Sequence, residues 1–171
     1  MAQLHLVHWK HYVTYGGIAS IFYGTCVTIF CRDATFTESW LLFTGNLLFL
    51  FIVSASLFAF NHQRKDNAST VSMLAAGMFT TLAGITLSIV LSFIILLIYV
   101  HGFVHAGPDP GALTHKPANT IQGKNNGIVF MIFMDAVMGN FVAGCSASVI
   151  FSFTLRKNQE SEKEGSQMTD L

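Results

Sequence analysis

Residues 127–153 read GIVFMIFMDAVMGNFVAGCSASVIFSF, an apolar run with a single acidic or basic residue, Asp135. About 20 residues, rising ~1.5 Å each, suffice to cross the hydrocarbon core of a bilayer. The run is therefore long enough to be a transmembrane helix. A carboxyl group inside such a helix is costly to insert, so it requires a partner, a proton or a water-filled cavity. Two rows of small residues surround it at four-residue spacing. One is Asp135, Gly139, Ala143 and Ala147; the other is Ala136, Asn140, Gly144 and Ser148. Small side chains at that spacing let a neighbouring helix approach closely. The segment is expected to be the packed centre of a helix bundle, with Asp135 facing protein rather than lipid.

The composition agrees. Of 171 residues, 52% are apolar and 11% charged, with a mean hydropathy of +0.54. Soluble domains carry about 25% charged residues. A net charge of zero gives no electrostatic support to a nucleic-acid partner. The lipid bilayer is the expected surrounding.

Three more apolar runs lie upstream, giving spans over 12–31, 40–60, 71–100 and 127–155. The first carries Gly16, Ser20, Gly24 and Thr28; the third carries Ala76, Thr80, Gly84, Ser88 and Ser92. These ladders assign Gly16, Ser20, Gly24, Gly84, Ser88, Gly139 and Ala143 to close helix packing. The second span, with LLFTGNLLFLFIV at 41–53, is bulky on most sides and is expected on the flank, against lipid or another subunit. Residues 1–11 form a polar lead-in, too polar for the apolar core of a signal peptide. Residues 156–171 form a polar, charged tail expected to lack regular structure. The loop 101–126 holds all three prolines. The predicted fold is all-α: an integral membrane bundle of four transmembrane helices, up-down-up-down.

Orientation follows from the basic residues near the span ends. Lys10, Arg64, Lys65, Arg156, Lys157 and Lys163 share one side; Arg32, Lys116 and Lys124 share the other. The richer side is expected to be cytoplasmic, placing both termini inside, in a plasma membrane or bacterial inner membrane.

That topology allows depths to be compared. Asp135 lies roughly 10 Å from the outer end of its span at ~1.5 Å per residue. Asn46, Thr25 and Ser92 fall at a similar depth in the other three. One polar group per helix at one level defines a candidate intramembrane site: Asp135, Asn46, Thr25 and Ser92. Such a layer suits a cation, a proton or an ordered water. It also suits plain packing, with Asp135 hydrogen-bonded to Asn46 or Ser92. No other titratable group is expected in the inner half of the bundle, which weighs against a proton relay.

His101, His105 and His115 in the outer loop form a weak candidate metal site, since imidazoles bind zinc or copper but this spacing matches no known metal motif. His5, His8 and His11 precede the first span, where Trp9 and Tyr12 suit the membrane interface. With no histidine inside the predicted spans, an intramembrane haem is not expected, and no cofactor is assigned. Cys26, Cys31 and Cys145 are read as packing residues, because no base lies within reach to activate a thiol.

No catalytic set or nucleotide-binding loop is present, so the chain is expected not to be an enzyme. Two main functions fit, the first being the leading expectation and the second its alternative. One is an accessory or assembly component whose exposed second helix binds another membrane protein or a second copy of the chain. The other is a small cation or proton transporter or channel subunit with its site at Asp135. A metal-binding or redox protein using the outer histidines is a weaker third.

Overall fold

The computed structural model describes residues 2–33, 38–63, 69–99 and 121–169, with side chains described over 9–32, 38–63, 69–99, 127, 129–156. These residues are almost entirely helical: α1 (Ala2–Asp33), α2 (Trp40–Gln63), α3 (Thr70–Tyr99), α4 (Ile121–Met134), a π-helical turn (Asp135–Gly139) and α5 (Asn140–Thr169). Four stretches are long and apolar enough to cross a membrane: Trp9–Arg32, Trp40–Gln63, Thr70–Tyr99 and Val129–Arg156. The fourth span thus comprises the last six residues of α4, the π turn and the first half of α5. Helices suit this setting because each satisfies its own backbone polar groups where no water can.

Local sequence explains where the helices begin. Ser69 caps α3, its Oγ accepting from the Ser72 N–H at 3.2 Å while its carbonyl accepts from Met73 N–H at 2.9 Å. Before α2, the Leu42 N–H donates to Ser39 O at 3.1 Å. Three helices run beyond the spans read from the sequence: α1 is helical from Ala2, α4 begins at Ile121 inside the stretch read as a loop, and α5 continues through Thr169 where an unstructured tail was expected. Residues 157–169 are rich in Lys, Glu and Gln, which favour helix, and a helix already nucleated in the bilayer propagates into them without a new nucleation step.

The spans alternate in direction, yet α1 packs most extensively on its parallel neighbour α3. The fourth span packs on α3 and on α2, and α2 also lies against α1. The α1–α3 crossing explains the ladders. A Cβ on Gly16 would lie 2.8 Å from Gly84 N and 3.0 Å from Thr80 O, so backbone meets backbone there. Gly84 serves a second neighbour, since a Cβ on it would lie 2.6 Å from the Phe49 ring. Gly24 leaves room for Leu91, and Gly144 for Thr81. Between apolar helices in lipid, such contact is the main source of cohesion.

The second span is not on the flank. Phe49, Val53 and Leu57 of α2 are fully buried, and Phe60 is 1% exposed. Buried residues make up 44% of its apolar window, against 28% for the fourth span, which is the more peripheral of the two. Bulky side chains pack inward here because the small residues of α1 and α3 make space for them.

Three apolar clusters stack along the bundle. Tyr23, Phe30, Leu42, Leu96 and Ile132 lie in one, Ala19, Phe49, Val53, Ile85 and Ala147 in the middle, and Leu57, Phe60, Met73, Ala76 and Leu155 toward the chain termini.

Candidate intramembrane polar site

Asp135 opens the π turn. The Asn140 N–H reaches back five residues to Asp135 O. In a regular α-helix it would bond Ala136 O; here the Asn140 side chain takes that role, its Nδ2 donating to Ala136 O at 3.1 Å. Turns of this kind are rare and occur often at functional sites. The widened turn packs on α2 and α3.

Two other spans grip the carboxyl group. Asn46 Nδ2 of α2 donates to Asp135 Oδ1 at 2.8 Å, and the Tyr23 hydroxyl of α1 donates to Asp135 Oδ2 at 3.0 Å. The same hydroxyl lies 3.4 Å from Ile132 O. Each donor depends on a glycine. A Cβ on Gly139 would collide with the Asn46 amide and lie 2.7 Å from Asp135 Oδ1. A Cβ on Gly45 would press on the Tyr23 ring at 3.0 Å and on Cys26 Cβ at 3.3 Å. The small residues around Asp135 thus make space for polar contacts as well as for helix approach.

Of the four residues placed in the layer from sequence, Asp135 and Asn46 are joined directly. Ser92 is fully buried, with its Oγ making no hydrogen bond. Thr25 is a correction: it faces out of the bundle, and its Oγ1 donates to Ile21 O of its own helix at 2.9 Å. Tyr23, two residues earlier and on the opposite side of α1, supplies the hydroxyl instead. Among the packing residues, Gly16, Ser20, Gly24, Gly84, Ser88 and Ala143 are buried and Gly139 is partly buried.

Most buried hydroxyls here are satisfied within their own helix. Thr80, Thr81, Ser54 and Ser148 donate to Ala76 O, Gly77 O, Leu50 O and Gly144 O at 2.7–2.9 Å. Ser20 donates to Gly17 O at 2.9 Å. Against that background, Ser88 Oγ, Ser92 Oγ, Asn46 Oδ1 and Asn140 Oδ1 are buried and make no hydrogen bond; Ser152 Oγ, well away, is the fifth such atom among the described residues.

A second polar contact escaped the sequence reading. His11 lies inside the first span and is half-buried, its Nε2 at 3.2 Å from Ser56 O and 3.1 Å from Ser56 Oγ. Ser56 Oγ lies 3.2 Å from Thr80 Oγ1, whose proton is already committed to Ala76 O. The Ser56 hydroxyl therefore donates to Thr80, and Nε2 donates to Ser56. This corrects the expectation of spans without histidine and of an inner half without a titratable group. The signal was its spacing from Tyr15, whose ring lies 4.6 Å from the imidazole.

Among the described residues, no three His, Cys, Asp or Glu side chains converge as a metal site. His101, His105 and His115 lie outside the described residues. Cys26, Cys31 and Cys145 are free thiols, and Cys145 Sγ contacts Met78 Sδ at 3.7 Å.

Four apolar spans packed around buried polar side chains make this a small multi-pass membrane protein. No protein-family model matches the chain, and no curated protein or solved structure is significantly similar to it.

Proposed function

We propose that the protein is a non-enzymatic subunit of a small cation or proton transporter or channel, with its working site at Asp135. The observation that carries this reading is the convergence of three spans on one intramembrane carboxyl group, beside buried oxygens that lack hydrogen-bond partners. Intramembrane carboxyl groups tend to mark ion and proton pathways. The π turn adds support, since such turns occur often at functional sites. His11 supplies a titratable group nearer the other face. Four helices alone leave little room for an aqueous path, so the reading includes a homo-oligomer or a larger membrane assembly. The basic residues beside the spans favour cytoplasmic termini, in a plasma membrane or bacterial inner membrane.

A second reading is an accessory or assembly component, in which the site only ties spans together. Its support is that both Asp135 oxygens already accept hydrogen bonds from side chains of other helices. The surface offered to a partner then moves from α2 to the fourth span, whose Phe130, Met134, Met138, Val142 and Ile150 point outward.

The deciding experiment is proton and monovalent-cation flux into proteoliposomes of the purified protein, compared with Asp135→Asn. Flux lost in a variant that still folds supports transport. Absence of flux from both proteins, with the variant losing heat stability, supports the accessory role.

A further inference from the structure

We propose that the Asp135 layer binds a single alkali-metal cation, an inference that rests on the transport reading above and names its ligand. Register brings the unpartnered oxygens of Asn46, Ser88 and Ser92 to within about one turn of Asp135. Gly84 packs on Phe49, so in the antiparallel α2–α3 pair Asn46 comes level with Ser88. Gly144 packs on Thr81, so Asp135 comes level with the stretch between Ser88 and Ser92, and Asn140 about one turn further along. Ser88, Ser92 and Asn140 are 0% exposed. Asp135 keeps capacity too, because each carboxylate oxygen accepts one side-chain hydrogen bond and has a second lone pair.

The donor set selects the ligand. One carboxylate among neutral hydroxyl and amide oxygens neutralises a single positive charge. A divalent ion would leave an uncompensated charge in a low-dielectric interior. Transition metals want imidazole or thiolate, and no such cluster lies among the described residues. A proton on Asp135 satisfies at most one of the unpartnered oxygens. A cation draws several oxygens at once, as carbonyl-lined ion sites do. With Asp135 ionised beside a cation, the Asn46 NH₂ faces the carboxylate, which leaves Oδ1 as an acceptor.

The test is thermal unfolding of the full-length protein in nanodiscs, titrated with NaCl or KCl against choline chloride at constant ionic strength. Na⁺ or K⁺ is expected to raise Tm by several degrees with saturation, and Asp135→Asn to abolish the rise. Ser92→Ala, a milder change that keeps the bundle packed, is expected to weaken the apparent affinity several-fold. No difference among the three salts overturns the inference. An equal rise in the wild type and Asp135→Asn also overturns it, by placing the ion elsewhere. Proton flux separates the two proposals. Asp135-dependent proton flux without any alkali-cation effect overturns the cation site and leaves the transport reading standing; absence of both effects overturns both.

Discussion

Gly139 lies where any side chain would collide with the Asn46 amide that holds Asp135. Gly139→Ala should therefore break the 2.8 Å hydrogen bond or push α2 and the fourth span apart. Overpacking of this kind costs about 1–3 kcal/mol. Gly17→Ala is the control, because a Cβ there meets only Leu87 Cδ1 at 3.8 Å. Thermal or denaturant unfolding in detergent should find Gly139→Ala destabilised and Gly17→Ala near neutral.

Tyr23→Phe removes one oxygen and keeps the buried ring. Asp135 Oδ2 then loses its 3.0 Å donor. Leaving a buried acceptor unsatisfied costs about 1–3 kcal/mol. Thr25→Val, two residues along the same helix, should change stability little, since its hydroxyl serves only its own backbone. Equal losses from both variants would refute the placement of Tyr23 in the site.

Because Tyr23 and Asn46 share one carboxyl group, their effects should not add. A double-mutant cycle of Tyr23→Phe and Asn46→Leu should show a coupling of about 0.5–3 kcal/mol, the range for residues in one hydrogen-bond network. Independent effects would mean that the two donors do not act on Asp135 together.

The His11 contact makes a separate prediction. His11→Leu should leave Ser56 without its imidazole donor and loosen α1 from α2, at about 1 kcal/mol for an ordinary hydrogen bond. Thr80→Val should be milder for the α1–α2 contact, because Thr80 bonds α2 only through Ser56 at 3.2 Å. Crosslinking between cysteines introduced near positions 12 and 60 would follow the loosening.

The α1–α3 crossing offers no flexible side chain to yield at Gly16, where the obstruction is Gly84 and Thr80 backbone. Gly16→Leu should prevent α1 from docking, and the variant should lose its cooperative unfolding transition. Gly24→Ala meets only the Leu91 and Ile95 side chains, which can shift, so the protein should still fold with a lower Tm.

The four spans were legible in the sequence because apolar length alone decides them. The ladders at Gly16, Gly84 and Gly139 were legible because close backbone approach demands small residues. Asp135 and Asn46 stood out as the acid and amide least at home in lipid. Facing was harder to read. Thr25 and Tyr23 are nearly at one depth, and counting residues from a span end does not show which side of a helix each occupies. The burial of α2 was hidden for a related reason: lipid and protein interior are equally apolar, so a uniformly bulky helix fits either. His11 was missed because the span was begun at Tyr12, and the half-buried imidazole depends on Ser56 and Thr80, both distant in sequence. The π turn left no local signature.

That turn has an evolutionary consequence. Its extra residue makes the fourth span one residue longer than a straight helix of equal height would need. Most single-residue deletions inside a membrane helix rotate everything beyond them by about 100° and misalign the packed faces. At Val137, which points out of the bundle, a deletion would relax the wide turn into ordinary α-helix and leave the rows above and below in place. The lineage of this chain can therefore gain or lose its widened turn in one step, so shorter descendants should keep the four-span scaffold while losing the geometry that aims Asp135 at Asn46.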